Sequence, residues 1–422
     1  MKNLCFSPAD ILLPDFSRTE GSTWAVIACD QFTSEPEYWE EAARTVGDAP
    51  SALRLILPEC YLGERAERVP AINREMRALL DSDFFKTHED AVLYLERTCP
   101  DGRVRRGLIG KIDLECYGYG ATDTLPIRST EGTVLERIPP RVEIRRDAPL
   151  ELPHVMLLID DAECRVIEKI AAATEGPVLY DFDLMAGGGH VRGMRLTAAE
   201  CEAIDAELCR LASPEEQERK YGRPSPAFLF AVGDGNHSLA SAKATYEELK
   251  SVIGAEAAAR HPARYALVEV VNLHDTALDF EPIYRVVMGA DTEDLLGAFA
   301  AYTAAEGDAA LGRQEFTVIA GTDERMLTLP ATHVQPVGTL QRFLDAYVAS
   351  HPEVEIDYIH DEASLRALAA RPGSIGFLFR GMEKVDLFPA VAAEGPLPRK
   401  TFSMGHARDK RYYLDARRIK AE

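Results

Sequence analysis

The sequence predicts a mixed α/β or α+β fold, with a main domain over residues 1–290 carrying one site and a smaller α+β region over 291–422. Three observations predict it. Short apolar runs rich in Val, Ile and Leu alternate with segments of helical periodicity through the first part of the chain. Turn residues separate them, as at Asp101-Gly102 and Gly187-Gly188-Gly189. From about Met288 the pattern changes to alanine-rich helix, a hairpin-like "QEFTVIAGTDERMLTLP" and a strand–helix–strand unit ending in "SIGFLFR".

Taken in order, "TWAVIACD" reads as a buried strand closed by an acid. Pro36, with the capping-box spacing of Ser34 and Glu37, reads as a helix start. "LRLILP" reads as a short strand and the stretch around 72–80 as a helix. "AVLYLERT" and "RGLIGKIDLECYGYG" read as paired strands. Residues 155–159 form an apolar strand, and "GPVLYDFDLMAGGGHVRGMRL" is a further strand leading into a triple-glycine turn. Thr197 and Glu200 have capping-box spacing ahead of a helix through Leu211. Residues 228–232 are an apolar strand, and Leu239, Ala242, Tyr246 and Leu249 then recur at helical spacing.

With 422 residues and 46% hydrophobic content, the chain buries a sizeable core. Its 47 Lys plus Arg stand against 69 Asp plus Glu, a formal charge of −22, which disfavours nucleic acid as a partner. An anionic small molecule in a local basic pocket remains compatible with that balance. Eight cysteines without a Cys-x-x-Cys pair read as reduced thiols of a cytoplasmic protein. No window approaches the roughly 18 apolar residues that span a bilayer. Zinc-hydrolase spacings and a Gly-x-Ser-x-Gly elbow are both missing from the sequence.

Four stretches carry candidate chemistry. The first is Asp234-Gly235-Asn236-His237-Ser238, between an apolar strand and a helix. Glycine lets the backbone approach a ligand there, and amides at a helix start suit a phosphate or carboxylate. Asp234 would hold magnesium or take a proton, and His237 would contact phosphate or shuttle a proton. The plain alternative is a turn capped by Asp234 and Asn236. The second stretch holds Arg128, Arg137, Arg141, Arg145 and Arg146 with interleaved glutamates. Arg128, Glu131 and Thr133 would place a cation, a base and a hydroxyl together, although a solvated face of alternating charges explains most of these arginines. The third, "AGGGHVRG", offers a lid built from Gly188, His190 and Arg192, or a surface loop. In the fourth, "FEPIYRVV", Arg285 is either a ligand clamp or a buried structural partner.

The motif 234–238, with Arg128, Glu131 and Thr133 before it and the phrase Pro282-Ile283-Tyr284-Arg285 after it, resembles the domain-of-unknown-function 1015 family of bacteria and archaea. That family's phrase usually reads Ala-Asp-Gly-His-His-Arg. Asp234, Gly235 and His237 match it, whereas Asn236 and Ser238 depart from it, as Tyr284 departs from a histidine in the later phrase. The motif is also similar, remotely, to the nucleotide-handling box of the ParB/sulfiredoxin-like superfamily, which includes nucleotide hydrolases and a free-serine kinase. The resemblance implies a mixed-sheet core of that kind, with Asp234–Ser238 at nucleotide phosphates and Glu131 as a base. Arg128 or Arg285 would then supply the fork lost at Ser238.

The expectation is therefore a magnesium- and ATP- or ADP-dependent phosphotransferase acting on a small hydroxyl-bearing metabolite such as serine. Its catalytic residues would be Asp234, Glu131 and His237. Gly235, Asn236, Ser238, Arg128, Thr133 and Arg285 would bind phosphate or substrate, and Asp234 would hold the metal. The competing readings are a non-catalytic anion- or nucleotide-binding protein and a metal-assisted hydrolase using Asp234, His237 and His190.

Overall fold

A computed structural model describes residues 5–120, 122–133, 138–222 and 227–421. The chain divides into two compact units. The first runs to Leu278 and is rejoined by the tail from His406; the second spans Asp279–Gly405. This division differs from the expected one at 290/291 in two respects. Strand Tyr284–Met288 lies inside the second unit's sheet, flanked by Ser374–Phe379 and Glu355–Ile359. The tail carries Arg411, Asp415 and Arg417, all buried within the first unit.

The first unit is built on a ten-stranded mixed sheet. In chain order its strands are β1 (Phe6–Ser7), β2 (Leu93–Thr98), β3 (Val104–Asp113), β4 (Tyr117–Gly118) and β5 (Ile127–Ser129). They continue with β6 (Met156–Ile159), β7 (Val178–Asp183), β8 (His190–Arg195), β9 (Phe230–Asp234) and β10 (Tyr265–Asn272). The spatial order is β7-β8-β2-β3-β10-β6-β9-β5-β4, with β1 also paired to β3. β6/β10 and β9/β5 are parallel, whereas β6/β9, β3/β10 and β2/β3 are antiparallel. β6 and the first three residues of β9 are fully buried, which is why they read as unbroken apolar runs.

The expected hairpins, 93–98 with 104–109 and 313–320 with 323–330, and the capping box at Thr197/Glu200 are present. Two local expectations differ. Helix Pro36–Val46 takes Glu35 as its N-cap with no side-chain cap, because Pro36 already occupies the first turn. "LRLILP" holds a 3₁₀ turn, Ala52–Leu55, capped by Ser51, whose Oγ accepts the Leu53 amide at 3.2 Å. A short apolar run is equally compatible with strand and with buried turn.

The second unit packs helices Thr292–Glu306 and Pro336–Ser350 on a five-stranded antiparallel sheet through Phe299, Phe316, Phe343 and Phe377.

The tail is fastened into the first unit by buried ion pairs. Arg417 meets Glu151 at 2.7 Å, and Arg411 meets Asp415 at 2.8 Å and Glu269 at 3.5 Å. Glu269, fully enclosed on β10, also faces Arg105 at 3.3 Å. Replacing a partner in such a cluster leaves uncompensated buried charge. Glu269→Gln is expected to lower stability by about 3–5 kcal/mol, measured by urea unfolding. A loss below about 1 kcal/mol would show that the cluster is not what anchors the tail.

Candidate active site

The strand register assembles the site. β5 runs parallel to β9, with Ser129 opposite Val232, so residues 129–131 reach the same end of the sheet as Asp234. β6 runs antiparallel with Met156 opposite Asp234, which brings the preceding His154 to that end too. β9 stops at Asp234, and the helix Asn236–Ile253 starts two residues later. The hinge is Gly235, in the left-handed region at φ +79°. A Cβ there would also lie 3.0 Å from Val155 Cγ2, so conformation and space both select glycine.

The first bond of the helix runs from the Leu239 amide to the Gly235 carbonyl, and no side chain caps its start. First-turn amides of a helix have no intrahelical partner and lie at the positive end of its dipole. Around them, Ser129 Oγ donates to Asn236 Oδ1 at 2.6 Å and Thr130 Oγ1 donates to the Val232 carbonyl at 2.6 Å. Glu131 comes next, half-buried, its carbonyl 2.7 Å from Ser129 Oγ. Thr133 Oγ1 is buried without a partner among the described residues. His237 sits half-buried in the first helical turn, its carbonyl accepting from Ser241 Oγ at 2.7 Å.

Four residues that the sequence did not single out complete the cluster. Lys410 Nζ lies 3.5 Å from Asp234 Oδ2. Burial disfavours the Asp30 carboxylate, but His154, a hydrogen bond from Gln31 and Lys410 together hold its pKa below the usual value. His154 Nε2 is 3.0 Å from Ser238 Oγ and its Nδ1 is 2.8 Å from Tyr413 Oη. Burial, with Cys29 and Asp30 close by, pushes the Tyr413 phenol well above its ordinary range, so the hydroxyl stays protonated. The acid closing "TWAVIACD" was a visible signal for Asp30, whereas Lys410 is one of several Lys and Arg residues in the C-terminal stretch that no motif distinguishes. Nothing in the sequence pairs His154 with Ser238, since 84 residues separate them.

Two expected contributors are committed to partners of their own. Arg128 stacks over Phe228 at 4.6 Å and donates through Nε to the Leu125 carbonyl at 2.9 Å. Phe228 precedes β9, so the guanidinium is turned toward the strand's start, away from Asp234. Arg285 is 0% exposed inside the second unit. Its Nε donates to Gln341 at 2.6 Å, Nη2 donates to the Arg399 carbonyl at 3.2 Å, and the group lies over Tyr358. A guanidinium committed in that way is a structural ion, not a phosphate clamp.

The glycine turn is filled rather than free to act as a lid. A Cβ on Gly188 would lie 2.2 Å from Tyr412 Oη, and one on Gly189 would lie 2.1 Å from the Thr98 carbonyl. His190 is bridged by Asp181 and Asp183, each at 2.7 Å, and Arg192 pairs with Asp181 at 3.5 Å. No group of three His, Cys, Asp or Glu side chains placed to hold a metal occurs among the described residues, and the hydrolase grouping of Asp234, His237 and His190 is not assembled. Of the other arginines, Arg141 pairs with Glu59, Arg145 with Glu151 and Arg146 with Glu248. Arg137 lies outside the described residues.

A family model described as protein of unknown function, DUF1015, matches residues 15–347. The chain belongs to that family. No curated protein matches it. Among solved structures, a mutant free serine kinase in complex with ADP is similar at 10% identity and a TM-score of 0.39, covering 75% of this chain and 93% of its own. A conserved hypothetical protein from Pyrococcus furiosus gives 11% identity and 0.35, covering 74% and 94%. SbnI from Staphylococcus aureus, truncated at its C-terminus, gives 9% and 0.37, covering 74% and 87%. No helix among the described residues is long and apolar enough to cross a membrane.

The hinge and the His190 cluster each set a measurable outcome. Gly235→Ala is expected to cost about 1–2 kcal/mol through its left-handed backbone, read by chemical denaturation; an unchanged midpoint would remove the steric argument. At His190, Asp183 raises the imidazole pKa; burial opposes it and Asp181 adds to the rise. The resulting stabilisation is complete below the unfolded value of about 6.5 and is lost as pH rises through the folded one. Hydrogen-exchange protection of the β7–β8 hairpin should fall across that window, and the fall should vanish in His190→Gln.

Proposed function

We propose that the protein is a nucleotide-dependent phosphotransferase acting on the hydroxyl of a small metabolite. One observation carries this reading: an uncapped helix start, hinged on a left-handed glycine, beside which Lys410 Nζ lies 3.5 Å from the Asp234 carboxylate. Phosphate oxygens would accept from the first-turn amides around Asn236–Ser238, with Lys410 and His237 offsetting their charge. Magnesium is commonly bound through one or two carboxylates together with substrate phosphates, and Asp234 fits that donor set. There it would neutralise phosphate charge. The attacking hydroxyl would bond to phosphorus as the bond to the leaving phosphate breaks, and its proton would pass to Asp30, with Glu131 as the alternative base.

Calorimetry and melting-temperature shifts with ATP and ADP, with and without magnesium, test this directly. At a hundredfold excess over Kd a bound nucleotide stabilises by about 2.7 kcal/mol, and Asp234→Ala is expected to remove that gain. If no nucleotide at millimolar concentration moves the wild-type transition, the reading is wrong.

A second reading has its own support. Asn236 and Ser238 direct their side chains at Ser129 and His154, partners within the protein. A binding protein without turnover would keep the nucleotide shift while forming no phosphorylated product over long incubation.

A further inference from the structure

Beside Ser238 lies a cavity of about 170 Å³ that the helix start does not use. Much of its wall is apolar, formed by Leu57, Ile72, Met76, Ile144, Leu152 and Leu239. An apolar cavity of roughly 150 Å³ holds a benzene-sized molecule and stays free of water. The polar wall is sparse and specific. Ser238, His154 and Tyr413 line it as one hydrogen-bonded chain, continued by the Cys29 amide, which donates to Tyr413 Oη at 3.2 Å. In the tautomer whose Nδ1–H donates to Tyr413, Nε2 of His154 accepts from the Ser238 hydroxyl, and the Ser238 oxygen is the acceptor left for a ligand hydroxyl.

A second feature points to a ligand. Asn73 also lines this cavity, is only 5% exposed, and its Oδ1 is buried without a partner among the described residues. An orphaned buried acceptor is unfavourable and calls for a donor. The charges at the wall are already committed: Arg141 to Glu59, and Glu151 to both Arg145 and Arg417. A zwitterion would find no counter-ion there, whereas an alcohol needs none.

We propose that this cavity is the acceptor subsite, and that the acceptor is a hydroxyl-bearing molecule with a compact apolar body of roughly six to ten heavy atoms. Its hydroxyl lies at the Ser238–His154 end and a second donor reaches Asn73. The role as acceptor rests on the phosphotransfer reading; the ligand site does not.

Thermal-shift titrations of the full chain with benzyl alcohol and 1-hexanol, against serine and glycerol, read the ligand class. The apolar alcohols are expected to raise the transition by about 2 °C or more, and the polar controls are not. Leu57→Trp fills the cavity and should abolish the shift. Should that variant not fold, Met76→Ala, which enlarges the cavity, is expected to move the preference to 1-octanol. No shift from any apolar alcohol, an equal shift in Leu57→Trp, or an unmoved preference in Met76→Ala overturns the proposal. Asp234→Ala separates the two claims, because it should lose nucleotide binding and keep the alcohol shift. Alcohol binding by a wild-type protein that no nucleotide stabilises upholds the ligand site and ends its role as an acceptor subsite.

Discussion

The buried ion pairs that hold the C-terminal tail are the constraint on which the rest of the first unit depends. Arg411 and Arg417 are enclosed with Glu269, Asp415 and Glu151, and Trp24 Nε1 donates to the Leu414 carbonyl at 2.9 Å. Desolvating so many charges is unfavourable unless each meets its partner, so the tail has one acceptable register. That register puts Lys410 beside Asp234 and Tyr413 against His154. A site built from residues far apart in the chain, 259 positions in the case of His154 and Tyr413, is thus set by electrostatic matching inside the core.

The second constraint is the meeting of two strand directions at the end of β9. The parallel neighbour β5 contributes residues from its C-terminal end, 129–131, while the antiparallel neighbour β6 contributes His154 from just before its N-terminal end. An all-parallel sheet would supply only strand C-terminal ends at this position. The mixed sheet therefore lets a histidine approach the helix start from the opposite chain direction. With it come the Ser238–Tyr413 chain and the apolar cavity behind it.

Much of the architecture was legible because periodicity reports burial. The apolar runs at 155–159 and 228–232 became fully enclosed, with β6 and the first part of β9 inside them, and Leu239, Ala242 and Tyr246 became the inner face of the site helix. The stretch 234–238 was legible as a strand-to-helix junction, because a glycine flanked by Asp and Asn marks where the chain must turn. Arginines misled for a physical reason. A guanidinium's fork serves a carbonyl or carboxylate as well as a phosphate, and Arg128 and Arg285 are spent on backbone carbonyls and aromatic faces. The same ambiguity turned "AGGGHVRG" from a candidate lid into a packed turn, since glycine marks close approach as readily as freedom.

Composition and spacing were enough to set the mixed α/β character, the acidic balance of charge and the position of the turn at Asp234–Ser238. These are local properties, readable in short windows of the chain. Folding was needed to return the tail to the first unit, to bring Lys410 and Asp30 to the turn, and to face Ser238 with His154. Such meetings depend on strand order, chain direction and the pairing of buried charge, and no short window of sequence encodes any of the three.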